Sequence, residues 1–123
     1  MNALIIEETI QTPHVCFDPD NNIFEIKNKS LPEDADIFYE PIIKWLERYC
    51  EHPNEQTDFY FKLDYYNTSS ARNIAFIINL LDVLSQKHKV KIFWYYHQID
   101  EDMQSNGEQY YETTQVDFEL VKI

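Results

Sequence analysis

Glycine is almost absent from this chain of 123 residues, since Gly107 is the only one. P-loop and dinucleotide-binding proteins hold phosphate in loops with several glycines at fixed spacing, so the sequence excludes nucleotide binding by either route. Cysteine is also scarce. Cys16 and Cys50 stand alone among apolar residues, which favours free, buried thiols in a reducing compartment over a disulfide. The histidines are scattered without metal-ligand spacing, so we expect neither a metal site nor a cofactor.

Positive charge and long apolar runs are lacking as well. The chain carries 22 acidic against 10 basic residues, a formal net charge of -12. Such a field repels phosphate backbones and anionic lipid headgroups, so we expect no nucleic-acid or membrane partner. No apolar run approaches the roughly 20 residues of a membrane span, and the N-terminus lacks a signal-peptide pattern. These features predict a cytoplasmic protein.

Hydrophobic residues make up 44% of the chain and aromatic residues 15%, enough for one core. Two β-rich runs, at 14–17 and 23–26, flank a cluster of turn formers and predict a β-hairpin. Period-two alternation predicts a strand at 57–66, and further strands are expected at 90–97 and 116–121. Helices are expected over 32–49 and 70–87, with Pro41 expected to kink or restart the first one. Residues 99–113 are acidic and suggest a frayed helix.

This order of elements predicts an α/β fold. Alternating strands and helices imply parallel neighbouring strands joined by right-handed crossovers. We expect a single domain over residues 1–123, with a mixed sheet of about five strands. An N-terminal β-hairpin begins it, and two long helices cover one face.

The junction between the predicted 57–66 strand and the following helix contains three consecutive hydroxyl residues, Thr68, Ser69 and Ser70. Hydroxyl oxygens at a helix N-terminus can cap its free N–H groups, and on residue chemistry alone Asn67 or Thr68 is favoured as the N-cap. A phosphate is also tolerated there by the helix dipole. The segment is therefore a candidate cap and a candidate phosphate acceptor.

Two other kinds of site stay open. His97 ends the next strand and could approach the Thr68–Ser70 edge, which would suit a small-molecule-binding or catalytic domain. The aromatic run at 93–96 has large apolar residues of both parities, and helices are predicted for only one sheet face. The other face could then be a constitutive docking or dimer surface that includes Tyr60, Tyr66 and Tyr95.

Several motifs, in order along the chain, resemble those of the SiaC-type bacterial regulatory phosphoproteins. They span residues 12–97, and beyond Gln98 the resemblance is faint. The most specific of them is the central segment 66–72. The motifs are TPHVCFD at 12–18, SLPEDA at 30–35, FYEP at 38–41, WLERY at 45–49 and YNTSSAR at 66–72.

The resemblance implies a STAS-like fold and a non-enzymatic switch. It implies that a dedicated serine/threonine kinase phosphorylates Thr68, with Ser69 and Ser70 as weaker alternatives, and that a metal-dependent phosphatase reverses this. The unphosphorylated form would bind and activate a diguanylate cyclase, raising cyclic di-GMP and promoting biofilm growth. The chain departs from the family pattern at Asp64, where an apolar residue is usual.

Around this acceptor we expect a partner-binding surface. Arg72, at i+4 from Thr68, could pair with the added phosphate. The expected partner contacts are Tyr66, Asn67, Ser69, Ser70 and Arg72, with Tyr60 and Tyr95.

Overall fold

The N-terminal part of the chain forms an antiparallel three-stranded unit. In the computed structural model, which describes residues 1–123, β1 (Leu4–Ile6) pairs with β2 (His14–Asp18), and β2 pairs with β3 (Ile23–Ser30). The β2–β3 pair is the predicted hairpin. Asn22 closes its turn at φ 52°, a left-handed conformation that asparagine tolerates better than most residues. The sheet therefore has six strands rather than about five, because the three residues of β1 are too few to show alternation.

The rest of the chain alternates between helices and strands. Strand order in the sheet is sequential from β1 to β6, and every neighbour from β3 onward is parallel. Right-handed crossovers that all step in one direction place their helices on one face. The mixed α/β sheet is thus confirmed. The elements are α1 (Ala35–Tyr49), β4 (Gln56–Tyr66), α2 (Thr68–Leu84), β5 (Lys89–Tyr96), α3 (Glu101–Thr113) and β6 (Asp117–Lys122).

The third helix is fully formed rather than frayed. The Asp100 carboxylate caps it by accepting a hydrogen bond from the Met103 backbone N–H at 3.0 Å. The Trp94 indole N–H donates to the Met103 carbonyl at 3.0 Å, which ties α3 to β5. Three helices therefore cover one face, where two were expected. None of them has the length and apolar character that a membrane crossing requires.

The core lies between the helices and one face of the sheet. Every second residue of β4 from Thr57 to Leu63 is buried, and so are Val90, Ile92 and Trp94 of β5. These positions pair across the two strands, as period-two alternation predicts. The intervening side chains lie on the opposite face, which no helix covers. We call it the uncovered face.

Pro41 does not interrupt α1, which runs unbroken from Ala35 to Tyr49. Proline lacks the N–H that would bond to the carbonyl of Ile37. Ile37 and Pro41 both lie on the exposed side of the helix, so water can take that place. The expected restart was therefore wrong.

Strand β4 carries a bulge that matters for the site. Asn28 of β3 pairs with Leu63, but the next residue, Lys29, pairs with Tyr65, so Asp64 is an extra residue. An extra residue exchanges the faces of all side chains that follow it. As a result Tyr66 lies on the helix side of the sheet.

The two cysteines are free, as predicted, but neither is fully buried. Cys16 lies on the uncovered face and Cys50 follows the end of α1. Partial burial is the main cause that raises the pKa of both thiols, which keeps them in the less reactive protonated form.

Candidate phosphorylation site

Thr68 is the first residue of α2 and its side chain is exposed. The residue before it is the cap. The Asn67 side-chain oxygen accepts hydrogen bonds from the Ser70 backbone N–H at 2.9 Å and from the Ser69 hydroxyl at 3.2 Å. Because Asn67 supplies the cap, the Thr68 hydroxyl is not needed for one. Its oxygen makes no hydrogen bond within the protein and is open to an incoming enzyme.

Asn67 is itself held in place by β3 and the segment after it. Its backbone N–H donates to the Ser30 carbonyl at 3.0 Å, and its side-chain amide donates to the Pro32 carbonyl at 3.3 Å. The strand-to-helix junction is therefore fixed on both sides. A rigid backbone that carries an exposed hydroxyl suits a modification site, since the acceptor needs no rearrangement to be reached.

The two serines beside Thr68 differ sharply. Ser69 is half-buried, whereas Ser70 has no exposed surface. The Ser30 hydroxyl donates to the Ser70 hydroxyl at 2.9 Å, and the Ser70 hydroxyl donates to the Ser30 carbonyl at 3.2 Å. The structure thus removes Ser70 both as an acceptor and as a partner contact, because no other protein can reach it.

Tyr39 of α1 completes this buried group of hydroxyls. Its hydroxyl is 2.6 Å from the Ser30 hydroxyl. Since the Ser30 proton goes to Ser70, Tyr39 is the donor in this pair. Burial raises the pKa of Tyr39 to about 12, so the phenol keeps its proton. The group, which we call the hydroxyl triad (Ser30, Tyr39, Ser70), joins β3, α1 and the first turn of α2.

Arg72 lies one turn after Thr68, but its guanidinium is held by α1. One of its terminal nitrogens lies 3.0 and 3.1 Å from the two carboxylate oxygens of Asp36. The Asn73 amide also donates to Asp36, at 3.0 Å, and to the Ser69 carbonyl at 3.1 Å. The hydrogen bond from Asn73, and after it the one from Arg72, lowers the pKa of the Asp36 carboxyl. Asp36 is therefore ionised and bound to the first turns of α2.

The predicted tyrosine surface does not come together. The bulge at Asp64 puts Tyr66 under α3, where its hydroxyl accepts a hydrogen bond from the Asn106 amide at 2.8 Å. Burial raises the pKa of Tyr66 to about 12. Tyr60 and Tyr95 lie on the uncovered face instead. Grouping the three tyrosines on one surface was wrong. It assumed that side chains alternate between the two faces without interruption along β4, and the bulge at Asp64 interrupts that alternation.

The aromatic rings of the uncovered face are shielded by lysine side chains. Tyr60 and Phe93 stack with ring centres 4.5 Å apart. The Lys62 ammonium lies 5.2 Å from the centre of the Tyr60 ring and 5.3 Å from that of Tyr95, within cation–π range. Only part of each ring is left for contact with another molecule.

His97 and the hydroxyl segment do not form a shared cavity. The His97 imidazole is 3.7 Å from the Asp64 carboxylate. A surface pocket of about 260 Å³ beside them takes none of its lining from Thr68, Ser69 or Ser70. The structure also places no three histidine, cysteine or acidic side chains together as metal ligands. The geometry therefore gives Thr68 no general base.

Sequence reasoning missed Asp36, Ser30 and Tyr39. Asp36 precedes Arg72 by 36 residues and Ser30 precedes Ser70 by 40, and Tyr39 is almost as far from Ser70, so no local spacing marks these contacts. Asp36 reads simply as an acidic residue in a first helical turn, which the dipole favours. The one local signal was Ser30, a hydroxyl that the β3 alternation directs into the core.

Comparison with known proteins gives a family match over nearly the whole chain. The model of the family described as SiaC family regulatory phosphoprotein matches residues 6–123. An uncharacterised protein of Pseudomonas aeruginosa strain UCBPP-PA14 is 26% identical over 124 aligned residues, which cover 98% of this chain and 96% of that relative.

Solved structures show the same fold. SiaC of Pseudomonas aeruginosa superposes with a TM-score of 0.90 at 24% identity, covering 100% of both chains. A second structure contains the diguanylate cyclase SiaD in complex with its activator SiaC, also from Pseudomonas aeruginosa. It matches with a TM-score of 0.90 at 25% identity, over 98% of this chain and 99% of that one.

Proposed function

This chain belongs to the SiaC family of regulatory phosphoproteins, and from that premise we propose that it is a cytoplasmic, non-enzymatic partner switch controlled at Thr68. The observation that carries the proposal is the exposed hydroxyl of Thr68 beside an asparagine that already caps α2. The Ser69 hydroxyl donates its hydrogen bond to the capping oxygen of Asn67, and Ser70 is fully buried. Thr68 is thus the most accessible acceptor in the segment.

The proposed modification is a simple group transfer. A serine/threonine kinase moves the γ-phosphoryl group of ATP to Thr68 Oγ1. The bond between the β- and γ-phosphates breaks, an O–P bond forms, and ADP and the hydroxyl proton leave. A metal-dependent phosphatase reverses the change by hydrolysis, in which water takes the phosphoryl group and inorganic phosphate is released.

The proposed target of the unphosphorylated form is a diguanylate cyclase. The support is the solved complex of SiaD with its activator SiaC, because SiaC has the same fold as this chain. The output would be cyclic di-GMP and, through it, aggregation or biofilm growth. Asn67, Ser69 and Arg72 surround the acceptor and are the proposed contacts at this edge, with Tyr60 and Tyr95 on the uncovered face as further ones.

Phosphorylation would act as an electrostatic block. It adds roughly -1.5 to -2 charges and three acceptor oxygens at an exposed edge. A partner surface shaped around a neutral threonine must then desolvate a dianion or lose the contact. About 1.4 kcal/mol of penalty already lowers affinity tenfold, so no refolding of the switch is required.

The test uses purified protein, its cognate kinase and ATP, with intact-mass and peptide mass spectrometry. We expect one phosphate, on Thr68. Thr68→Ala should stay unmodified yet bind and activate the cyclase, whereas the matched control Ser69→Ala should still be phosphorylated. Thr68→Asp should weaken cyclase binding at least tenfold. Phosphate on another residue, or full cyclase binding by Thr68→Asp, would refute the proposal.

A further inference from the structure

The ion pair between Asp36 and Arg72 is exposed and therefore easily exchanged. The Asp36 side chain is 64% and the Arg72 side chain 70% accessible. Pairs of this exposure contribute little free energy, because water screens them and both side chains must be ordered. Nothing in the packing forces the guanidinium to stay with Asp36.

Arg72 is also placed to reach the acceptor. Residues four apart on a helix are neighbours on one face, with Cβ atoms about 5–6 Å apart. Thr68 and Arg72 have this spacing and are both exposed. The Arg72 side chain could therefore reach a phosphate on Thr68 Oγ1 by a change of rotamer alone.

We propose that Asp36 and Asn73 are positioning residues that hold Arg72 away from Thr68 until Thr68 is phosphorylated, when Arg72 exchanges the Asp36 carboxylate for the phosphate. The inference rests on the proposed function, since it takes Thr68 as the acceptor. No covalent bond changes in the exchange. Asp36 loses its cation and keeps the hydrogen bond from Asn73.

Arg72 binds the phosphate in preference to Asp36 because the phosphate carries more negative charge. A phosphothreonine carries nearly two negative charges and three acceptor oxygens, against one charge and two oxygens for Asp36. Arg72 contacts Asp36 through one terminal nitrogen only, whereas a phosphate can accept two parallel N–H bonds from a guanidinium, so the exchange loses no hydrogen bonds. Asp36, now unpaired near a dianion, is repelled from it.

The consequence reaches the groove between α1 and α2. Asp36 and Arg72 form one end of this groove, and an exposed Phe76 lies further along it. Its other charged residues, Glu40, Lys44 and Glu47, lie one to three turns away, and Glu40 binds Lys44 at 2.8 Å. Moving Arg72 would thus change charge and shape at the Thr68 end alone.

The experiment measures the second pKa of phosphothreonine at position 68 by ³¹P NMR titration. Phosphothreonine is inserted during translation by stop-codon suppression, so the sample needs no kinase. The variants are Asp36→Asn, Arg72→Gln and the double change. Glu40→Gln is the matched control, because it removes the same charge from an exposed pair on the same helix. Circular dichroism confirms that each variant is folded.

We expect Asp36→Asn to lower the phosphate pKa by about 0.3–0.7 units, since it frees Arg72 to stabilise the dianion. Arg72→Gln should raise the pKa by a similar amount. In the Arg72→Gln background, Asp36→Asn should shift the pKa by no more than about 0.2 units, as should Glu40→Gln in the native background.

An equal shift from Asp36→Asn with and without Arg72 would overturn the inference, because Asp36 would then act by direct repulsion alone. A Glu40→Gln shift as large as that of Asp36→Asn would overturn it too. Failure of the cognate kinase to modify Thr68 is a separate result. It would refute the proposed function and leave the titration unaffected.

Discussion

Within one turn of α2, three hydroxyl side chains meet three different environments. Thr68 faces solvent, Ser69 donates to the cap oxygen of Asn67, and Ser70 is buried in the hydroxyl triad. Successive helical residues are rotated by about 100°, so neighbours in sequence cannot share a side. The hydroxyl group that the three residues share therefore does not distinguish them, and their position around the helix decides which one an enzyme can reach.

At the residue scale, we predict that Ser70→Ala destabilises the protein by about 1–3 kcal/mol, because the buried Ser30 hydroxyl loses its acceptor. The matched change Ser69→Ala should cost a few tenths of a kcal/mol at most. Asn67 keeps the Ser70 backbone N–H as a donor in that variant. Both changes gain the same helix propensity, so the difference isolates the triad. Urea unfolding at pH 7 measures it, and equal midpoints for the two variants would contradict a structural role for Ser70.

At the scale of elements, the spacing of apolar residues in the sequence predicted the long amphipathic strands and helices. Strand β4 and helices α1 and α2 were found because each repeats apolar residues at its own period. Strand β1 was missed because it has three residues. Helix α3 buries only Met103 and Gly107, too few for a pattern. The bulge at Asp64 depends on pairing with β3, which no single strand reveals, and it explains why an acidic residue is tolerated there: Asp64 is exposed.

The glycine of α3 supports a second prediction. A Cβ at Gly107 would come within 2.5 Å of Trp94 Cδ1 and 2.6 Å of Leu120 Cδ2, so α3 packs on β5 and β6 only because this side chain is missing. Gly107→Ala should gain about 1 kcal/mol of helix propensity but lose more to overpacking, for a net destabilisation of about 1–2 kcal/mol.

The control on the same helix is Ser105→Ala, at an exposed position, which should stabilise α3 by a few tenths of a kcal/mol. Thermal unfolding gives the comparison, and near-ultraviolet circular dichroism, to which Trp94 and Trp45 both contribute, reports on the packing of the aromatic side chains. A Gly107→Ala protein as stable as the native one would show that α3 can move off the sheet at no cost.

At the scale of the whole molecule, charge is divided between the two sides of the sheet. Strand alternation places five of the ten basic residues on the uncovered face, together with six of the 22 acidic ones. That leaves 16 acidic and five basic residues elsewhere, so nearly all of the net charge of -12 belongs to the helix side and the loops. The basic set is Lys27, Lys29, Lys62, Lys89 and Lys91, and the acidic set is Asp18, Glu25, Asp58, Asp64, Asp117 and Glu119.

This division predicts opposite effects for two substitutions that change the net charge equally. Glu112 lies in the last turn of α3, which has no basic residue and ends with the negative pole of the dipole. Glu112→Lys should therefore stabilise the protein by about 0.5–1 kcal/mol at low salt. Asp117 lies beside Lys89, Lys91 and His88, so Asp117→Lys should destabilise it by a similar amount. Urea unfolding in 10 mM and 300 mM NaCl measures both, and the two effects should shrink together as salt screens them. Stabilisation by both variants would mean that the molecule responds to its total charge, and that the uncovered face has no separate electrostatic character to offer a partner.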